Sequence, residues 1–232
     1  MGDHVFLKVL GVTLVLILAA LFIPVGQPPE EYRNLPWQIE ILDDGSSRVF
    51  GIHLGRSTLD EVEQQFQEPS EVSMFATDDG ERVVEAYFNT VTLSGFKAKI
   101  VATLGFSGDE LQAIYDRGER ISTLAQGKRK VTLSGEDMQR ARRTPVVALT
   151  YLPRTDLDEQ IVIKRFGEPA ERLAEPGGTK EHWLYPDKGL DVVMDKEARE
   201  VLQYVVPGEF QRLREPLLRQ ESVGDDAASD QG

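Results

Sequence analysis

The chain has 232 residues, no cysteine and a formal net charge of −13, from 39 acidic and 26 basic side chains. The missing thiols exclude cysteine nucleophiles, disulfides, cysteine metal sites and a lipidated-cysteine anchor. The acidic excess argues against nucleic-acid binding, which needs a basic surface to neutralise phosphates, and against broad adhesion to anionic lipid heads.

Residues 5–25 read VFLKVLGVTLVLILAALFIPV, with Lys8 as their only charge. A bilayer core about 30 Å thick takes about 20 apolar residues of helix, so this stretch is long enough to span it. Its Leu, Ile, Phe and Val residues from Val9 onward favour insertion by at most roughly 3–6 kcal/mol. A cleaved secretory signal is the rival reading, but no small-x-small cleavage pattern follows the apolar run. The predicted arrangement is a single-pass inner-membrane anchor over residues 1–26, with the remainder in a periplasm-like space. Residues 27–36, opening Gln27-Pro28-Pro29-Glu30-Glu31, read as a stiff linker.

A first α+β unit is predicted over 37–106. WQIEIL alternates as a strand, and Asp43-Asp44-Gly45 turns the chain into SRVFGIHL. Ser57 or Thr58 caps a helix over LDEVEQQF, whose Leu59, Val62 and Phe66 share a face, and Pro69 stops it. EVSMFA and RVVEAYF flank an Asp-Gly hairpin turn at Asp79-Gly80. FKAKIVATLGF then alternates, with Phe96, Ala98, Ile100, Ala102 and Leu104 on one side and Lys97 and Lys99 on the other. Residues 107–144 read as a helical connector: Ser107 caps GDELQAIYDRGER, KRKVTL follows, and Ser134 caps GEDMQRARR.

A second unit over 145–218 repeats the first in outline. After the strand PVVALTYL comes the helix LDEQIVIKRF, and Phe166-Gly167-Glu168-Pro169 ends it as Phe66-Gln67-Glu68-Pro69 ends the first. HWLY, LDVVMD and VLQYVVP form a meander, and EFQRLREPLLRQ is a short helix with Phe210, Leu213 and Leu217 on one face. Residues 219–232 read as a disordered acidic tail. The fold class expected is thus α+β: a transmembrane helix followed by two helix-plus-antiparallel-meander units.

Thr155-Asp156-Leu157, Phe166-Gly167-Glu168-Pro169, Trp183-Leu184-Tyr185-Pro186 and Gly189-Leu190-Asp191-Val192-Val193 together resemble the BamE/SmpA-type envelope domain, with a weaker echo from Thr58 to Phe88. The resemblance covers about a quarter of the chain. It implies helices against a three-stranded sheet and a binding or scaffolding role without catalysis. The chain departs from the family in having no lipidated cysteine and in carrying Gln67 where the second unit has Gly167.

Chemical motifs are sparse. The histidines are His4, His53 and His182, and none sits in an HExxH or HxH spacing, so no metal site is predicted. No G-x-S-x-G elbow and no glycine-rich phosphate loop is present, so no catalytic or cofactor-binding residue is assigned. One local excess of positive charge stands out: Lys128, Arg129, Lys130, Arg140, Arg142 and Arg143. It reads either as a solvated face offsetting acidic neighbours or as a docking patch for an acidic partner or lipid heads. The functional expectation is a membrane-anchored periplasmic binding or scaffolding protein with a protein partner in envelope assembly or maintenance. An envelope hydrolase using carboxylates, or an enzyme-inhibitor or sensor domain, is the alternative.

Overall fold

A computed structural model describes residues 33–219. The expected anchor, the first part of the linker and the expected tail beyond residue 219 lie outside the described residues. Among the described residues no helix is long and apolar enough to cross a membrane.

The chain begins with three short strands, β1 (Glu40–Ile41), β2 (Ser47–Val49) and β3 (Ile52–His53), which form a small antiparallel sheet of their own. WQIEIL was expected to be one long strand, but only its end pairs. Helix α1 (Leu59–Phe66) starts at Thr58, whose hydroxyl accepts from the Glu61 amide while the Glu61 carboxylate accepts from the Thr58 amide. That reciprocal cap satisfies two otherwise orphaned donors. Then come β4 (Glu71–Ala76), β5 (Arg82–Leu93) and β6 (Phe96–Leu104). Helix α2 (Gly108–Asp116), β7 (Arg120–Thr123), β8 (Arg129–Thr132) and α3 (Gly135–Arg143) follow, and the long strand β9 (Val146–Pro153) leads into α4 (Glu159–Phe166). The chain continues through β10 (Glu171–Ala174), β11 (Lys180–Tyr185), β12 (Leu190–Asp195) and β13 (Val201–Val205), and residues 211–219 are helical.

Ten of these strands make one antiparallel sheet in the order β10-β11-β12-β13-β9-β6-β5-β4-β8-β7. The protein is α+β, and the described residues 33–219 belong to one compact unit. The two expected meanders share this single sheet, because β9 pairs with both β6 and β13 and joins them edge to edge. The expected helical connector is not purely helical either. It contributes β7 and β8, and β8 pairs with β4. Strand β10 adds a fourth strand to the second meander.

Strand alternation decides the core. Met74, Val84, Ala86, Phe88, Ile100, Ala102, Leu149, Tyr151, Leu202, Tyr204, Leu190, Val192 and Trp183 lie in register across one face, all at most 3 % exposed. Leu59, Val62 and Phe66 of α1, Ile114 of α2, Ala141 of α3, Val162 and Phe166 of α4, and Phe50 and Ile52 pack onto that row. Each large apolar side chain fully withdrawn from water contributes about 1.5–3 kcal/mol. The paired Phe-x-Glu-Pro helix ends do the same job in both halves: the Phe66 ring meets Phe88 edge-on at 5.2 Å, and Phe166 meets Tyr185 at 6.0 Å. On the opposite face, Phe210, Leu213 and Leu217 close a smaller cluster over Leu184, Val205 and Leu173. Gly189 is obligatory at the β11–β12 turn: its φ is +61°, and a Cβ there would lie 2.1 Å from the Val205 carbonyl oxygen.

Candidate functional site: an aromatic cleft with a cationic rim

Where β6 begins and β9 ends, the two strands lie side by side, with Ala98 opposite Pro153. Beyond Pro153 the chain needs five residues to turn into α4. That loop is pinned by the nearly buried Glu200, whose carboxylate accepts from the Leu157 amide at 2.7 Å, and Asp158 then caps α4 by accepting from the Ile161 amide. From the other side, the turn at Leu35 to Gln38 folds over the sheet, and the buried Tyr204 hydroxyl donates to the Pro36 carbonyl at 3.0 Å. This delivers Trp37 to the mouth of a cavity of about 250 Å³.

The floor and walls of the cavity are apolar: Trp37, Phe96, Tyr151, Pro153, Leu157 and Ile161. Trp37 and Phe96 meet edge-on at 6.5 Å. Tyr151 is held from behind by Phe50, stacked at 5.2 Å, and burial pushes its phenol above the ordinary range. It is only 3 % exposed, yet its hydroxyl has no hydrogen-bond partner among the described residues. Phe96, expected on the core side of its strand, is 47 % exposed here, and Ile161 is 38 % exposed. Phe96 is the first residue of β6, just past the hairpin at Ser94 and Gly95, where the helical layer no longer covers the sheet.

The rim is basic. Lys97, Arg154, Lys164 and Arg165 line it, and the Arg165 guanidinium lies 4.1 Å from the centre of the Trp37 ring. None of the four has an acidic partner among the described residues, and the one acid of the lining, Asp156, pairs with Arg199 at 3.4 Å instead. An aromatic face backing a guanidinium strengthens the local positive field without neutralising it.

The six cations singled out in the sequence are distributed otherwise. Arg129 pairs with Asp78 at 2.6 Å, Arg140 with Glu110 at 2.8 Å, and Arg142 with Asp60 at 3.3 Å. Lys128 and Lys130 flank Arg129 around β8, so strand alternation sends Lys130 to the other sheet face from Arg129. Arg143 sits in the last turn of α3, where a cation complements the helix dipole. Three of the six are thus engaged in ion pairs.

Two histidine-centred clusters were missed in the sequence, because strand pairing assembles them. His182, 5 % exposed, binds Asp191 through Nδ1 at 2.7 Å and Glu175 through Nε2 at 3.1 Å. Burial opposes its charging, but the two carboxylates outweigh it and hold its pKa above the ordinary value; burial likewise pushes the Asp191 carboxyl up. Both ring nitrogens are occupied, so this histidine has no free position for substrate. Near the surface, Ser46 Oγ donates to Asp44 and lies 2.6 Å from His53 Nε2. That wiring is the reverse of a nucleophilic triad: the acid takes the serine proton directly, whereas a triad acid holds the histidine so that the imidazole can take it. Among the described residues no group of three or more histidines and acids is placed to hold a metal ion.

No protein-family model, no curated protein and no solved structure matches the chain.

Proposed function

We propose that this protein is a binding or scaffolding module of the cell envelope, tethered at the inner membrane by its N-terminal apolar segment, and that it engages a protein partner through the cleft between Trp37, β6 and α4. The observation that carries this reading is the pairing of an apolar recess with four cations that have no acidic partner among the described residues. Exposed Phe96 and Ile161 beside that recess are an energetic cost to a monomer, and burial against a partner recovers it. The wiring of the two histidine clusters supports recognition over hydrolysis. The resemblance of 155–193 to envelope scaffolding domains points the same way.

The test places a photo-crosslinking amino acid at Ile161, and separately at Arg143, in cells carrying a C-terminally tagged chain. One discrete crosslinked partner at Ile161 and none at Arg143, with the tagged chain retained in carbonate-washed membranes and digested only after the outer barrier is opened, is the expected result. Release by carbonate or protection in spheroplasts overturns the tethered reading, and crosslinking that is equally diffuse at both sites overturns the cleft.

A further inference from the structure

Resting on that reading, we infer the chemistry of the partner: the cleft takes an extended acidic peptide segment, with one large apolar side chain seated on Trp37, Phe96 and Tyr151 and flanking carboxylates on Lys97, Lys164 and Arg165. The recess of about 250 Å³ is smaller than a typical drug-sized pocket and suits a single large side chain. The rim cations surround it, so acids on either side of that anchor come within the roughly 8 Å over which charges act at physiological salt. The Arg165 guanidinium, 4.1 Å from the indole centre, carries a fork of N–H donors of the kind that pairs with a carboxylate. Tyr151 in the cleft wall carries a hydroxyl that can donate, and a carboxylate is the acceptor-only group that matches such a donor set.

Two other occupants fit worse. The chain's own residues 220–232 carry Glu221, Asp225, Asp226 and Asp230, but their largest apolar side chain is Val223, which leaves an aromatic recess unfilled. An anionic bilayer meets a molecule whose formal charge is −13, so the acidic remainder of the surface opposes the four-cation rim. A short flexible segment reaches the rim without approaching that remainder.

The experiment exposes the full chain, in a neutral detergent, to an immobilised library of random peptides of about eight residues, and in parallel to phosphatidylglycerol and phosphatidylcholine vesicles. Retained peptides are expected to carry a Phe, Trp, Leu or Ile flanked by at least two acids. Their Kd is expected to rise about tenfold or more in the Lys97→Glu/Lys164→Glu variant, and severalfold between about 50 and about 300 mM salt. Tyr151→Phe should weaken them severalfold while circular dichroism stays that of the parent. Selection of neutral or basic peptides, no selection at all, or salt-independent binding overturns the inference. So does a shift of tryptophan emission with phosphatidylglycerol vesicles in the absence of peptide selection, which assigns the cleft to lipid. Release of the chain from washed membranes would defeat the tethered scaffold while leaving peptide selection intact. Failed selection by a chain that stays in the membrane defeats only the peptide.

Discussion

His182 is the residue whose ionisation is tied most tightly to the fold. It lies between Asp191 of β12 and Glu175 just past β10, while Gln203 donates to the same Asp191 oxygen that binds the imidazole, at 3.4 Å. The other Asp191 oxygen is buried without a partner. Leaving an acceptor in that state costs about 1–3 kcal/mol while the carboxylate is charged. Both His182 and Asp191 have pKa values raised above their ordinary ones, so the folded protein holds protons that the unfolded chain releases. A group with a raised folded pKa stabilises fully below its unfolded pKa, and that contribution fades as pH climbs through the folded value. Stability attributable to this cluster is therefore present below the ordinary histidine pKa of 6.5 and declines above it. Urea titrations at a series of pH values should show the midpoint falling above neutrality, and His182→Gln should flatten that slope. A midpoint that rises over the same range would reverse the assignment.

At the scale of the element, the two helix ends built on Phe-x-Glu-Pro show how alike the halves are and where they differ. Helix α1 ends with Gln67 at φ +52°, in the left-handed region, and α4 ends with Gly167 at φ +87°. A side chain at positive φ costs about 1–2 kcal/mol, part of which glycine returns as chain entropy in the unfolded state. Gln67→Gly should therefore stabilise the protein by about 0.5–1 kcal/mol, read as a higher denaturation midpoint with an unchanged slope. Destabilisation would mean that the Gln67 side chain contributes more than its backbone costs. Both helices were legible in the sequence because capping residues, apolar spacing and the proline stop all act locally. Thr58, Ser107, Ser134 and Asp158 each cap through a side-chain oxygen three residues from its donor. Strands β7, β8 and β10 were less legible: RIST, RKVT and ERLA are too short and too charged to show an alternation.

At the scale of the whole molecule, the seam between β6 and β9 decides whether the halves are domains. Seven residue pairs join the two strands, from Ala98–Pro153 to Leu104–Val146, and the buried rows of both halves run through them without a break. The seam leaves no interface of the kind that lets two domains unfold separately. Tryptophan emission reports Trp37 and Trp183, one beside the first meander and one inside the second, whereas far-ultraviolet circular dichroism reports every helix and strand. Both should follow a single, superimposable urea transition. Two separated transitions would restore the boundary near residues 107–144 as a true domain division.

The sequence by itself determined the capped helices and the long strands, and with them the α+β class, the buried face of β6 from Ala98 to Leu104 and the repeated helix ends. All of these follow from period, capping and turn chemistry within a dozen residues. Tertiary structure alone decided the order of the strands, because backbone hydrogen bonding between β9 and β6, or β8 and β4, carries no side-chain signature. It also decided which cations are paired. Lys128 through Arg143 are neighbours in sequence, but their acids come from Asp60, Asp78 and Glu110, on other elements. Trp37, Lys97, Tyr151 and Arg165, scattered over more than a hundred residues, meet because β9 pairs with β6 and so joins the two halves. Charge placement in three dimensions is set by that pairing, and no local pattern encodes it.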